Sequence, residues 1–373
     1  MKILIVTDDF FPNISGGAGL ITYFQAKELS EANNIVKVFT VNQAKHSYNL
    51  DKINVYSCTF KYPAILRRLI SLFNPYLTFK LITCIKNFNP DIIHFHNVHL
   101  YISFYAIKIS SKYCNKIFLT CHDMMTVANG KVRENDLVQK EDLIFKEIKK
   151  CLQCCSVIAV SKSLAKGLTL NKIHVEHVLH NCLPSDLNLE DSYNLKLEIF
   201  KFKQRYGISQ LNNLFLFCGR VSYLKGIDFA IKAIQKTNGH LLVVGVNREN
   251  TSHVTFVDWV TYEEMKYFYM VSLAVLVPSI YLDPFPTVNL EAFKYGKPVI
   301  GSIYGGTSEI VDNGINGFLI NPANVEEFSD RIRYLINNPT IAQKMGKSAY
   351  EKFITKYNIR SCINQLINLY EIK

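Results

Sequence analysis

PSIYLDPFPTVNLEAFKYGKPVIGSIYGGTSEIV, residues 278–311, follows an apolar run and carries two acids eight positions apart, Asp283 and Glu291. A loop rich in Pro and aromatic residues leads into a helix-like segment, which passes through Gly296 and Pro298 into another short strand. The pattern is strand, loop, helix, strand, with a carboxylate near each end of the loop. Loops at the carboxyl ends of parallel strands are where α/β proteins bind nucleotides and sugars. A carboxylate at a helix start accepts hydrogen bonds from vicinal hydroxyls, and the free N–H groups of the same helix start face an anion. A nucleotide-linked sugar offers both groups.

The same alternation runs outward in both directions. Upstream, residues 2–7, 36–41, 53–56, 92–95, 117–120 and 157–160 are near-continuously apolar, as buried parallel strands are, and most intervening segments are long enough for crossover helices. A second series of strands at 214–218, 241–244, 255–257, 274–277, 298–301 and 317–320 is separated by helical patterns at 227–235, 262–271, 289–295, 325–337 and 341–354. Between the two series, residues 181–192 lapse into Asn, Pro, Ser, Asp and Leu, the composition of a linker. The expected fold is α/β, with two Rossmann-like domains facing one another across a cleft. The expected domains are residues 1–185, residues 186–355, and a final segment 356–373 whose helix, at 358–370, crosses back to the first.

At 373 residues the chain suits two such domains, and apolar residues at 49% with charged residues at 20% leave no case for disorder. The opening MKILIVTDDF puts one Lys before a five-residue apolar run, too short for a signal peptide or a membrane span, so a cytoplasmic protein is expected. Ten Cys in that compartment read as thiols, and Cys151, Cys154 and Cys155 lack the second pair of ligands that a zinc site needs. Lys and Arg exceed Asp and Glu by 42 to 31, which favours anionic partners. Between Lys61 and Lys86, the cations Arg67, Arg68 and Lys80 interleave with Leu, Ile, Phe and Tyr and no acid intervenes. A basic amphipathic helix there suits an anionic inner leaflet, and a core helix with solvated cations is the alternative. No nucleic-acid motif accompanies it.

Four further motifs carry chemistry. The strand 214–218 runs into GRVSYLKG, where Gly219 admits a ligand close to backbone, Arg220 can grip two phosphate oxygens, and Lys225 adds a compact charge. Two such cations can stabilise a leaving diphosphate in place of a divalent metal, so no metal is expected. The strand 117–120 leads into Cys121, His122 and Asp123, placing an imidazole where it can meet a sugar hydroxyl. After the first strand come Ser15, Gly16, Gly17, Ala18 and Gly19, which do not fit the dinucleotide fingerprint and disfavour a dehydrogenase. TFVDWV, at 255–260, holds Trp259, the single Trp of the chain.

Taken in order, these motifs resemble the family-4 retaining glycosyltransferases, which have the GT-B fold, over nearly the whole chain. The family's acidic signature has two Glu eight positions apart bracketing Pro-Phe-Gly, and this chain departs from it with Asp283 and Pro286. The resemblance implies that Arg220 and Lys225 meet the donor diphosphate, that His122 contacts the donor sugar, that Glu291 takes the ribose hydroxyls and that Asp283 reaches the transferred sugar. It implies a donor-binding role for Gly16, Gly17, Gly219 and the backbone of Val260, and a further signature at Gly305, Gly306 and Glu309. Pro286 has no N–H, which leaves those of Thr287, Val288 and Asn289 for the donor. The implied reaction is metal-independent transfer from a nucleotide-sugar donor to an acceptor hydroxyl with retention, and no other cofactor is implied. Implied partners are the donor and a glycan acceptor of bacterial surface polysaccharide, with a polyprenyl-diphosphate-linked one among the candidates, at the inner face of the membrane. A sugar-nucleotide epimerase and a non-catalytic scaffold on the same fold are the alternatives.

Overall fold

The computed structural model describes residues 1–14, 16–43, 46–128, 130–185 and 192–372. The chain divides into two compact units, Met1–Pro184 with Ile359–Lys373, and Ser185–Asn358. The expected boundary falls partly on residues 186–191, outside the described residues. The C-terminal piece of the first unit begins at Ile359, later than the expected 356.

The first unit contains β1 (Lys2–Thr7), β2 (Ile35–Val41), β3 (Ser47–Leu50), β4 (Ile53–Cys58), β5 (Ile92–His96), β6 (Ile117–Cys121), β7 (Ser156–Ala159) and β8 (His177–Val178). They form one sheet in the order β3-β4-β2-β1-β5-β6-β7-β8, parallel throughout except where β3 pairs antiparallel with β4. β3 and β8 were not expected: SYNL is polar with an alternating exposed face, and β8 is two residues long. Both are edge strands, where packing adds little apolar signal to the sequence.

The second unit contains β9 (Leu214–Cys218), β10 (His240–Val244), β11 (Val254–Val257), β12 (Ala274–Val277), β13 (Val299–Ser302) and β14 (Gly317–Ile320). Its sheet is wholly parallel in the order β11-β10-β9-β12-β13-β14. Phe215, Phe217, Leu241, Val243 and Leu276 are buried between the helices that cover the sheet, so the strands are apolar end to end. Within each unit the strand order reverses once, between β1 and β5 and between β9 and β12. Ligands of open α/β sheets bind outside the carboxyl ends of strands at such a switch point.

The segment 61–86 is not one helix. A 3-10 turn Ala64–Leu66 and a helix Arg67–Leu72 end at Phe73, and a new helix Pro75–Phe88 starts where Asn74 accepts the Leu77 N–H and Pro75 occupies the first turn. Pro has no N–H to continue the earlier helix and suits the first position of the next. The two pieces also differ in burial. Helix Pro75–Phe88 buries Leu77, Leu81 and Ile85, whereas the earlier piece leaves Ile65, Leu66 and Leu69 exposed. No helix among the described residues is long and apolar enough to cross a membrane.

The last helix, Ile359–Ile372, packs on the helix Gly17–Glu31 of the first unit. Lys116 Nζ donates to the Tyr370 carbonyl at 2.9 Å, and the buried Tyr370 ring reaches the middle of the sheet at His94.

Candidate active site

At the second unit's switch point, Gly219, with φ 109°, turns the chain out of β9 into a loop that ends in the 3-10 turn Tyr223–Lys225. Gly226 follows at φ 78°, and a Cβ there would stand 1.8 Å from the Pro278 carbonyl oxygen. Only glycine lets the cation loop lie this close to the start of the acid loop. The approach places Lys225 Nζ 2.5 Å from Asp283 Oδ2, and Ser279 Oγ donates to the same oxygen at 3.0 Å. The Asp283 side chain is 8% exposed, so its charge is met by the protein rather than by water. Gly305 and Gly306 hold the acid loop from its other side. The Gly306 N–H donates to the Asp283 carbonyl at 2.8 Å, and a Cβ on Gly306 would stand 1.9 Å from the Pro284 carbonyl oxygen.

The helix after this loop, Thr287–Lys294, has Pro286 as its N-cap. It starts earlier than the expected 289, which moves Glu291 out of the first turn into the second. The Asn289 N–H already donates to the Pro286 carbonyl at 3.2 Å, and its Nδ2 donates to Thr307 Oγ1 at 3.0 Å. Of the three N–H groups expected to face an anion, the helix start leaves those of Thr287 and Val288 without an intrahelical acceptor. Glu291 accepts from Tyr269 Oη at 2.6 Å, and the Tyr269 ring stacks on Tyr295 with centroids 5.3 Å apart. Burial pushes the Glu291 carboxyl up, opposed by hydrogen bonds from Tyr269 and Thr287 and by the charge of Lys294. Cys218 Sγ lies 3.2 Å from the same Tyr269 Oη, and burial with the nearby Glu291 pushes its thiol up to about 12.

Tyr269 and Ser222 escaped the reading of the sequence. Ser222 sits in the cation loop with a buried Oγ that has no partner among the described residues. A helix-borne Tyr reads as core, and a Ser two positions after a loop Arg carries no signal. Arg220 is exposed, Trp259 is 70% exposed, and Val260 is half-buried beside it.

At the first unit's switch point, three imidazoles stack through the sheet. His94 is held on both sides, with Nδ1 2.6 Å from Tyr370 Oη and Nε2 2.8 Å from Thr120 Oγ1. His96 Nδ1 lies 3.1 Å from His122 Nε2, while His96 Nε2 and His122 Nδ1 are buried without a partner among the described residues. Burial lowers all three: His94 to about 3, His122 to about 4, and His96 well below its ordinary value. At neutral pH the His96–His122 contact therefore holds one proton, and the tautomer of each ring fixes that of the other. His96 and His94 alternate along β5, and in a strand called buried by its apolar run their ring nitrogens were indistinguishable from packing.

Asp123 accepts the Met125 N–H at 2.8 Å and caps the 3-10 turn Met124–Thr126, an orienting role. Asp8, one residue beyond β1, accepts the N–H groups of Leu100, Tyr101 and Ile102 at 2.6, 3.1 and 2.8 Å. Burial pushes its carboxyl up to about 7 against those three bonds. An opening of about 490 Å³ at the ends of β1 and β2 is lined by Asp8, Asp9, Asn13, Ile14 and Asn42. Gly16 is exposed and extended, and a Cβ there would meet nothing within 4 Å, while Gly19 is confined by Asp9 and Ile14. Ser15 lies outside the described residues. Gly16 and Gly17 open the helix Gly17–Glu31, and no steric demand of the protein itself explains Gly16. All ten cysteines are free thiols, and no cluster of His, Cys, Asp or Glu among the described residues is arranged to hold a metal ion.

Two mainly parallel sheets, each with polar groups gathered at its switch point, have the architecture of the GT-B fold. Residues 15–184 match the family described as Glycosyltransferase Family 4, and residues 198–352 match Glycosyl transferases group 1. The chain belongs to this family, the group 1 glycosyltransferases of the family-4 type. It is 25% identical to an uncharacterized glycosyltransferase of Methanocaldococcus jannaschii, over 100% of this chain and 98% of that one. It is 21% identical to the O-antigen chain mannosyltransferase C of Escherichia coli, over 99% of this chain and 98% of that one. Among solved structures, Anabaena HepE in complex with UDP-glucose superimposes with a TM-score of 0.73 at 18% identity, over 100% of both chains.

Proposed function

We propose that the protein moves a glycosyl group from a nucleotide sugar to an acceptor hydroxyl with retention at the anomeric carbon and without a metal ion. The observation that carries this reading is the Lys225–Asp283 pair at the switch point, followed directly by the open N–H groups of Thr287 and Val288. Lys225, Arg220 and those N–H groups meet the diphosphate, and Asp283 and Glu291 take hydroxyls of the sugar and the ribose. His122 serves the transferred sugar, and Val260 borders the base. In the step itself, the bond between the anomeric carbon and the phosphate oxygen breaks as the acceptor oxygen bonds to that carbon on the same face. The acceptor's proton passes to the departing phosphate oxygen, and the cations absorb the charge that develops on the diphosphate. A relative that builds O-antigen supports an acceptor in bacterial surface polysaccharide, and a structural neighbour that holds UDP-glucose supports a nucleotide-sugar donor.

A thermal-shift panel of UDP, GDP, ADP and dTDP sugars, run with chelator on the wild type and on Arg220→Ala, tests the reading. A donor at 100 times its dissociation constant should add about 2.7 kcal/mol of apparent stability. One nucleotide should raise the melting temperature of the wild type and leave that of the variant nearly unchanged. No shift with any donor, or a shift only with added metal, overturns it.

A further inference from the structure

His94 and His96 alternate along β5 and so lie on one face of the sheet, and His122 follows directly on β6, the neighbouring strand. His94 engages both ring nitrogens, with Tyr370 and with Thr120, and its ring lies against that of His96 at a centroid distance of 4.1 Å. On its other side His96 meets the His122 ring at 5.4 Å and 27°. The His96 ring has one hydrogen-bond partner among the described residues, His122 Nε2, which it meets through Nδ1. Burial keeps both rings neutral, so each carries a single N–H. Two arrangements satisfy that condition. If His96 Nδ1 holds the shared hydrogen, His122 Nε2 accepts it, His96 Nε2 is a bare lone pair and His122 Nδ1 is an N–H. If His122 Nε2 holds it, the roles reverse, and the bare N–H falls on His96 Nε2. Depth decides between them. His96 is 1% exposed and His122 is 9% exposed. Buried backbone N–H groups go unpaired more rarely than buried acceptors do, and the same preference places the open N–H on the shallower ring and the bare lone pair on the deeper one.

We infer that His96 is a positioning residue for the transfer: its Nδ1–H donates to His122 Nε2 and holds His122 in the tautomer whose Nδ1–H faces an oxygen of the transferred sugar. The inference rests on the proposed transfer and on the place given there to His122, and it adds the polarity of that contact and the residue that sets it. An N–H at this place suits any sugar oxygen, whereas a lone pair would require a hydroxyl hydrogen turned toward it. His94, with both nitrogens engaged, has no hydrogen-bonding capacity left to disturb the pair, and it acts on His96 only by packing.

Long-range proton–nitrogen NMR spectra of the full chain, with isotope-labelled histidine, read the tautomer directly. At neutral pH both His96 and His122 should show a protonated Nδ1 and a bare Nε2, the signals being assigned by their loss in His96→Asn and His122→Gln. Binding is then measured for the UDP, GDP, ADP and dTDP sugars, each against its own sugar-free diphosphate. His96→Leu removes the donor, so His122 should mix its tautomers, and the preferred nucleotide sugar should bind about tenfold more weakly while its sugar-free diphosphate binds as before. His96→Asn, whose amide still donates near the Nδ1 position, should keep the His122 tautomer and bind the sugar to within about threefold of the wild type. A wild-type spectrum with the hydrogen on His122 Nε2 overturns the inference and leaves the transfer reading intact, and no variant has to fold for that result. Equal weakening of sugar and sugar-free ligands by His96→Leu, or no weakening of either, also overturns it. If no nucleotide sugar binds the wild type, the transfer reading falls and this inference falls with it.

Discussion

At the switch point of the first unit two buried imidazoles, His96 and His122, each keep one ring nitrogen without a partner among the described residues, whereas at that of the second Lys225 and Asp283 are already paired with one another. Both places arise from the same strand order, so the difference lies in the side chains that the loops deliver. Lys225 and Asp283 satisfy each other until a ligand with an anion and hydroxyls offers new partners to both. His122 Nδ1 has no partner among the described residues to give up. The second unit can thus hold its charges ready at low cost, while the first stores unmet hydrogen-bonding capacity that a ligand would fill.

Removing the cation breaks the comparison most sharply. Lys225→Met should lower kcat/KM for transfer about 100- to 1000-fold, the range for loss of one preorganised group facing developing charge. Steady-state kinetics, with a melting curve to confirm folding, check this, and a loss under tenfold would move charge stabilisation to Arg220.

Acid tests the first unit. Burial keeps His94 neutral in the folded protein down to about pH 3 and His122 down to about pH 4, and it lowers His96 well below its ordinary value, but each takes up a proton near pH 6.5 once unfolded. Where the unfolded chain binds more protons, stability rises with pH, so these groups contribute fully above about 6.5 and their contribution is lost as the pH falls toward 4. Asp8 acts oppositely, since its raised carboxyl keeps a proton in the folded state up to about pH 7. His99 and His240 are lowered as well, and Glu291 is raised like Asp8, so with five histidines against two acids the melting temperature should fall between pH 6.5 and pH 4, and His96→Gln should flatten that slope. A melting temperature that rises on acidification would mean that the raised carboxyls of Asp8 and Glu291 dominate.

The smallest effect sharpens the ribose assignment. Tyr269→Phe removes the hydrogen bond to Glu291, and a bond to a charged group contributes about 1.5–3 kcal/mol, so donor affinity should weaken about tenfold or somewhat more. Titration of the preferred nucleotide sugar measures it, and unchanged affinity would remove Glu291 from the ribose.

Much of this was legible in the order of residues. Buried parallel strands announce themselves as continuous apolar runs, and β9, β12 and β14 begin and end where those runs do. The edge strands β3 and β8 were silent because they bury little. The break at Phe73 was written in Asn74 and Pro75, yet the interleaved cations and apolar residues suggested one continuous helix. Gly305 and Gly306 stood out only by likeness, because their reason is the backbone of a loop some twenty residues earlier.

The sequence by itself determined the alternation of strands and helices, the two-part division and the residue types at each loop, because those follow from local apolar periodicity and from chain stiffness at Gly and Pro. The tertiary structure alone decided which loops became neighbours. Strand order set β9 beside β12 and so brought Lys225 to Asp283, 58 positions away. It also set β1, β5 and β6 side by side, which put His96 on His122 and Asp8 under the N–H groups at 100–102, while the return of the last helix put Tyr370 on His94. Such pairings depend on long-range packing of whole elements, and no local pattern encodes them.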